Sequence, residues 1–390
     1  WPVSRDRARG YGLNNLMIGA FQQVQFMRVF SFCFLTLAFF SAWAQSTFQA
    51  QSRHSQSPEK FYQSPPSENK VLAALTSMND CREANKDRQG YCELFINSGE
   101  KLTPAAALKR TAPNKRPLFL WRYKSTTATV FVAGSIHVLK EGFYPLPKQY
   151  VQAYNDSDVL VLEVNMEAIK PEALQATMLN YGSLKSGTLR TSMPADLYQS
   201  LQQVAPVYGI QLEQLQPFKP AVVGQQIQLM AMYSIGYEPE FGLESYFTSL
   251  DRDKPVLELE SVEDQLDLLF NADRATQNAL LRETLTQLPR LPDDTDAIIG
   301  KWIHGDDKGL ESLIRESMGS SILARNFMKR LLDDRNERMA SKILDYLSTN
   351  KNYFVIVGAA HLAGKNSVVS ILNDQGQIGE RFSSEDVVIN

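Results

Sequence analysis

Along the chain, short unbroken apolar runs alternate with longer stretches whose apolar positions recur at helical spacing. Residues 118–123 (LFLWRY) and 129–133 (TVFVA) read as two strands joined across Ser125-Thr126-Thr127, which predicts a β-hairpin. Residues 158–164 (DVLVLEV), 254–260 (KPVLELE) and 353–357 (YFVIV) read as further buried strands, and a last β segment is expected at about 386–389. Helical patterning covers about 71–108, 147–155 and most of 167–250, punctuated by Pro194, Pro217, Pro220 and Gly236. It resumes in a Leu- and Gln-rich stretch broken near Pro289 and Pro292, then at 307–317, 320–349 and 366–374. No repeat of 20–50 residues is visible, which excludes a solenoid. Strands intermixed with long helices predict an α/β (α+β) domain, a mixed β-sheet core covered by many helices.

The first 70 residues break this pattern. From Met27 the chain reads MRVFSFCFLTLAFFSAWAQ: one Arg, an apolar run over 29–40, then Ala42-Trp43-Ala44. This is the pattern of a signal peptide over 27–44, cut after Ala44 and directing the chain to the periplasm or outside the cell. The run is shorter than the roughly 20 apolar residues of a membrane span, although an uncleaved anchor is the alternative. Residues 1–26 read as a mis-called N-terminal extension, 45–70 (rich in Ser, Gln and Pro) as a flexible leader holding a solvated His54, and 71–390 as a single domain.

A hydrophobic fraction of 44% excludes wholesale disorder and a multi-span membrane protein. A net charge of −3 offers no basic footprint for nucleic acid, and losing Arg5, Arg7, Arg9, Arg28 and Asp6 with the signal would make it −6. Cys33 would leave with the signal too. Cys81 and Cys92 then remain, ten residues between them, and in an oxidising compartment they are expected to form a disulfide.

The informative chemistry is a repeated constellation. Two strands run into Gly-x-x-His, at Gly134/His137 and at Gly358/His361. A glycine there tolerates unusual φ and close approach, and an imidazole three residues on would project at the strand's C-terminal end, where open sheets build their sites. Glu163 interrupts an otherwise buried run, so it needs a partner: an arginine or a metal. Alternation puts Val256, Glu258 and Glu260 on one face of their strand, with Glu260 nearer its end. Two imidazoles and one or two carboxylates suit Zn, Mn, Co or Fe; without metal, either His could serve as general base. The plainer reading is that each His caps a strand end. His304 reads as a helix C-terminal dipole partner, and Arg335 and Asn336 as a solvated helix face. HExxH, GxSxG, P-loop and GxGxxG motifs are absent from credible contexts.

In order, GSIHVLKEGFYPLP, SDVLVLEVN, KPVLELESVEDQ, DDRNERMA and FVIVGAAHLAGKNSVVSILNDQG resemble the TraB/GumN family, related to the Tiki metalloproteases and the erythromycin-esterase/ChaN-like group. The resemblance covers about residues 115–385. It implies a sheet core with one site at its edge, with His137, His361 and Glu163 as metal ligands and Glu260 as further ligand or base. Glu263 and Gln265 complete the Glu260 motif, and Arg335-Asn336 would lie behind the ligands or contact a substrate carboxylate. By the same resemblance the activity would be that of a Mn- or Co-dependent, peptidase-like hydrolase acting on a peptide or protein. The GumN side implies instead a non-enzymatic envelope accessory protein associated with exopolysaccharide, and the ChaN side a metal or haem carrier. Where the family shows Gly-x-Asp, this chain has Gly242-Leu243-Glu244, which keeps the charge on a longer arm.

Overall fold

The computed structural model describes residues 47–165, 168–251, 253–317 and 321–385. The expected signal segment, the extension before it and the expected strand at 386–389 lie outside these residues. No helix among the described residues is long and apolar enough to cross a membrane.

The segment expected to be a loose leader is instead structured over most of its length. β1 (Ala50–His54) and β2 (Ser57–Gln63) pair antiparallel, and β3 (Cys92–Asn97) and β4 (Glu100–Lys101) complete a four-stranded sheet in the order β2-β1-β3-β4. The Ser-rich composition misleads because Ser52 and Ser64 are buried and satisfied, as is Ser77 in the segment that follows. Ser52 Oγ donates to the Ser77 carbonyl at 2.6 Å, Ser77 Oγ to that of Tyr62 at 2.6 Å, and Ser64 Oγ accepts from the Ala50 N–H at 3.0 Å. His54, expected in solvent, is 2% exposed; its Nδ1 accepts from the Gln56 N–H, and its ring packs against Gly90.

The helix Lys70–Ala84 covers this sheet through Ala73, Ala74, Ser77, Met78 and Cys81, and Asn69 caps it by accepting from the Leu72 N–H at 2.8 Å. The Cys81–Cys92 disulfide then ties the helix's last turn to the start of β3, as the cysteine count predicted.

The second sheet is mixed, in keeping with the expected α/β (α+β) class. β5 (Pro117–Lys124) and β6 (Thr129–Ser135) form the expected hairpin. With β7 (Val159–Leu162), β8 (Val256–Glu258), β9 (Tyr353–Gly358) and β10 (Glu380–Ser383) they make the order β10-β5-β6-β9-β7-β8. β10 and β5 are antiparallel to their neighbours, whereas β6, β9, β7 and β8 run parallel. Strands buried on both faces need apolar residues at every position, and β7 and β9 are buried throughout. Parallel register then fixes where the strands stop together: Ser135 lies opposite Gly358, and Leu162 opposite Glu258. All four parallel strands therefore end at one edge of the sheet.

The expected alternation in the β8 run does not hold. The strand stops at Glu258, so the chain turns before the period can continue: Leu257 and Glu258 are exposed, while Leu259 and Glu260 are 3% and 5% exposed.

Candidate functional site

The two Gly-x-x-His motifs, Glu163 and Glu260 all follow the C-terminal ends of these parallel strands. Neither motif glycine has positive φ, so conformational freedom is not their role. Space is. A Cβ on Gly134 would come within 3.2 Å of Phe119 and of the Ala359 backbone. A Cβ on Gly358 would lie 3.3 Å from His137 Nε2, 3.4 Å from Glu163 Oε1 and 3.6 Å from His361 Cδ2. Gly358 thus leaves open the point on which two imidazoles and a carboxylate converge. Trp302 Nε1 fixes the end of β6 by donating to the Gly134 carbonyl at 2.8 Å.

Behind that point stands Arg335, from the helix Ile322–Leu347. Its Nε donates to both oxygens of Glu260, at 3.0 and 2.8 Å, and its Nη2 to Glu163 Oε2 at 2.6 Å. Its Nη1 donates to the Leu331 carbonyl and to His361 Nε2, each at 3.2 Å. Glu163 Oε1 accepts from the Gly358 N–H at 2.5 Å. Arg335, Glu163 and Glu260 are 5%, 9% and 5% exposed, so this is a buried charge cluster whose disruption at one partner typically costs about 3–5 kcal/mol. The expectation of a solvated face for Arg335 and Asn336 is overturned. Both belong to the helix's buried stripe with Met339, Ala340, Ile343 and Leu347, at spacings of three, four and seven residues.

Asn336 sets the tautomer of His361. Its Nδ2 donates to the Asn366 carbonyl at 2.7 Å, which turns its Oδ1 toward His361 Nδ1, 2.6 Å away. Nδ1 therefore carries the proton and Nε2 the lone pair. Burial pushes the His361 pKa down to about 4, with Arg335 adding to the effect against the opposing pull of Glu163, so this ring is neutral at pH 7. Burial works against ionisation of Glu163, but His361, His137, Arg335 and the Gly358 N–H outweigh it and hold its carboxyl near 2.

His137 differs in every respect. Its side chain is 64% exposed, and its Nδ1 donates to Glu244 Oε1 at 2.9 Å. Ser135 Oγ donates to the same oxygen at 2.5 Å. The Glu244 carboxylate beside it raises the His137 pKa, to about 9. Burial opposes ionisation of Glu244, but His137 and Ser135 together hold its pKa below the usual range. Glu244 had no role assigned from the sequence; its only signal was Gly242-Leu243-Glu244 standing where the family has Gly-x-Asp. The longer arm reaches from the first turn of the helix Leu243–Leu250.

The remaining sequence candidates lie elsewhere. The exposed Glu258 carboxylate accepts from the Asn165 N–H and the Glu258 carbonyl from Lys342 Nζ, and His304 ends the helix Leu291–His304, facing the carbonyls of Gly300 and Thr111.

Of the expected metal ligands, His137 Nε2 and Glu163 Oε1 approach the open point above Gly358, but His361 does not turn a free lone pair toward it. The His361 lone pair faces Arg335, and both Glu163 oxygens already accept hydrogen bonds. Among the described residues no group of three His, Cys, Asp or Glu side chains is placed to hold a metal ion. A cavity of about 230 Å³ is lined by Asn336 and Ala360 together with Ile314, Met328, Leu332 and Lys365.

These features define a class: a mixed α/β protein with paired imidazoles and a buried carboxylate–guanidinium cluster at the ends of its parallel strands. The chain belongs to the TraB/PrgY/gumN family, which matches residues 119–381. It is similar to an uncharacterized protein of Treponema pallidum (strain Nichols), 21% identical over 279 residues, or 68% of this chain and 83% of the relative. No solved structure matches the chain significantly.

Proposed function

We propose that this chain is an exported hydrolase of peptide-like bonds, with His137 as its proton-transfer group. The observation that carries the reading is the convergence of His137 Nε2, Glu163 Oε1 and the His361 ring on the open point above Gly358. A water held there would lie between His137 Nε2, which can accept a proton once the ring is neutral, as pH rises toward about 9, and the ionised Glu163 carboxylate. In its neutral form His137 takes a proton from that water at Nε2, while Glu244 holds its Nδ1–H and stabilises the imidazolium that forms. The same nitrogen then returns the proton to the departing amine. Glu163 and His361 line the water's position; Arg335, with Glu260, holds Glu163 in place. The cavity that Asn336 lines has room for a substrate side chain. The peptide class comes from the resemblance to the Tiki metalloproteases, and export from the signal pattern over 27–44, to which a disulfide is suited.

The same convergence favours a second reading, in which His137, His361 and Glu163 hold a divalent ion, Mn or Co by resemblance and Zn or Fe by donor type. It requires Arg335 to leave the His361 lone pair.

The test is cleavage of a mixed peptide library by the purified chain, with chelator and with added Mn²⁺ or Co²⁺, beside His137→Ala and Glu163→Gln. Cleavage lost in both variants is expected. A folded wild-type chain that cleaves nothing under any of these conditions removes the hydrolase reading and leaves the envelope accessory role.

A further inference from the structure

The buried cluster already contains a cation. A divalent metal held at this place by both histidines and Glu163 needs the lone pair of His361 as well as that of His137. On His361 the only lone pair is at Nε2, because Nδ1–H is committed to Asn336 and the Asn336 amide is itself fixed by the Asn366 carbonyl. Arg335 Nη1 stands 3.2 Å from that lone pair. The same guanidinium binds Glu163 at 2.6 Å and Glu260 at 2.8 Å, so among the described residues it is the buried arginine that neutralises both carboxylates. Arg338 also reaches Glu260, but at 3.5 Å and from a side chain 58% exposed.

The guanidinium suits this task better than a point charge. Its planar fork presents donors in several directions at once, here to two carboxylates, one carbonyl and one imidazole. Withdrawing it to admit a metal would strip Glu260 of its buried partner and break the Leu331 contact within its own helix. Leaving it in place would set two cations against each other beside a buried charge cluster.

We propose that Arg335 is the resident cation of this site, standing at His361, Glu163 and Glu260 where a divalent metal would otherwise bind, so that the chain works without one. The proposal rests on the reading above only in taking this cluster as the working site.

The full chain, stripped with chelator, is titrated with MnCl₂, CoCl₂ and ZnCl₂ by calorimetry, with the visible spectrum of Co²⁺ followed in parallel. The expected result is no saturable binding at one equivalent. Arg335→Met keeps the stem and removes the charge. It is expected to gain one equivalent of Co²⁺, with a visible absorption band that disappears when His361→Ala is added. One equivalent bound by the wild type and lost in His361→Ala overturns the proposal, as does a folded Arg335→Met that takes no metal. Should Arg335→Met not fold by circular dichroism, the wild-type titration decides alone. A chain that binds no metal and cleaves no peptide removes the hydrolase reading and leaves this proposal standing.

Discussion

Glu244 accepts the Nδ1–H of His137 at 2.9 Å, from a helix more than a hundred residues further along the chain. That contact makes His137 the one strongly basic imidazole of the pair, while His361, on the far side of Gly358, is kept neutral by burial. Two copies of one sequence motif therefore carry opposite protonation chemistry.

Removing the Glu244 charge should release His137. In Glu244→Gln the His137 pKa, followed by its ring proton resonances in an NMR titration, is expected to fall from about 9 toward 6.5. Because the folded value is raised, the contribution of His137 to stability is present below pH 6.5, as long as Glu244 stays ionised, and is lost as pH rises through about 9. Unfolding midpoints of the wild type should decline over that window, and those of the variant should stay flat. An unmoved resonance would show that Glu244 does not set the charge of His137.

His361 should govern part of the acid limb. Its folded pKa is near 4, below the unfolded value of 6.5, so between these values the unfolded chain binds a proton that the native chain refuses. Stability therefore falls as pH drops from 6.5 to 4, and His361→Gln, which cannot protonate, is expected to flatten this segment in urea melts at successive pH values. A variant curve as steep as the wild type's would assign the limb to other groups.

Gly358→Ala probes the open point directly. The backbone there has φ −53°, which alanine adopts freely, and the added methyl would meet the tips of three side chains at 3.3–3.6 Å. Melting temperature is expected to change by only a few degrees, whereas kcat/KM should drop on the order of 10²-fold because the water's place is filled. Full activity in this variant would place the reacting water elsewhere.

The disulfide should stabilise the sheet that precedes the matched family region. The double variant Cys81→Ser/Cys92→Ser is expected to lose about 2–4 kcal/mol in urea unfolding. Reductant should produce the same loss in the wild type and none in the variant. Equal stability with and without the bond would mean that burial alone holds this layer.

Much of this was legible before the fold. The parallel strands are unbroken apolar runs because both their faces are buried, and the hairpin, the cysteine pair and the two Gly-x-x-His motifs all announce themselves locally. β1 and β2 were not legible, because buried serines that bond to backbone carbonyls have the composition of a disordered leader. Arg335 and Asn336 carry polar side chains on an apolar helical stripe, a pattern that looks like solvent exposure until a partner fills the other side.

By itself the sequence determined the hairpin strands and the apolar runs of β7 and β9, and which residues follow them, since period and burial are properties of neighbours along the chain. It did not show β1 to β4, the end of β8 or the place of β10. Only the tertiary structure decided which ends meet. The parallel register aligns Ser135 with Gly358 and Leu162 with Glu258, and helices from distant segments then bring Glu244 to one imidazole and Arg335 to the other. The charge state of each histidine follows from those contacts, because an imidazole's protonation depends on the groups within a few ångströms of it and not on the residues beside it in the chain.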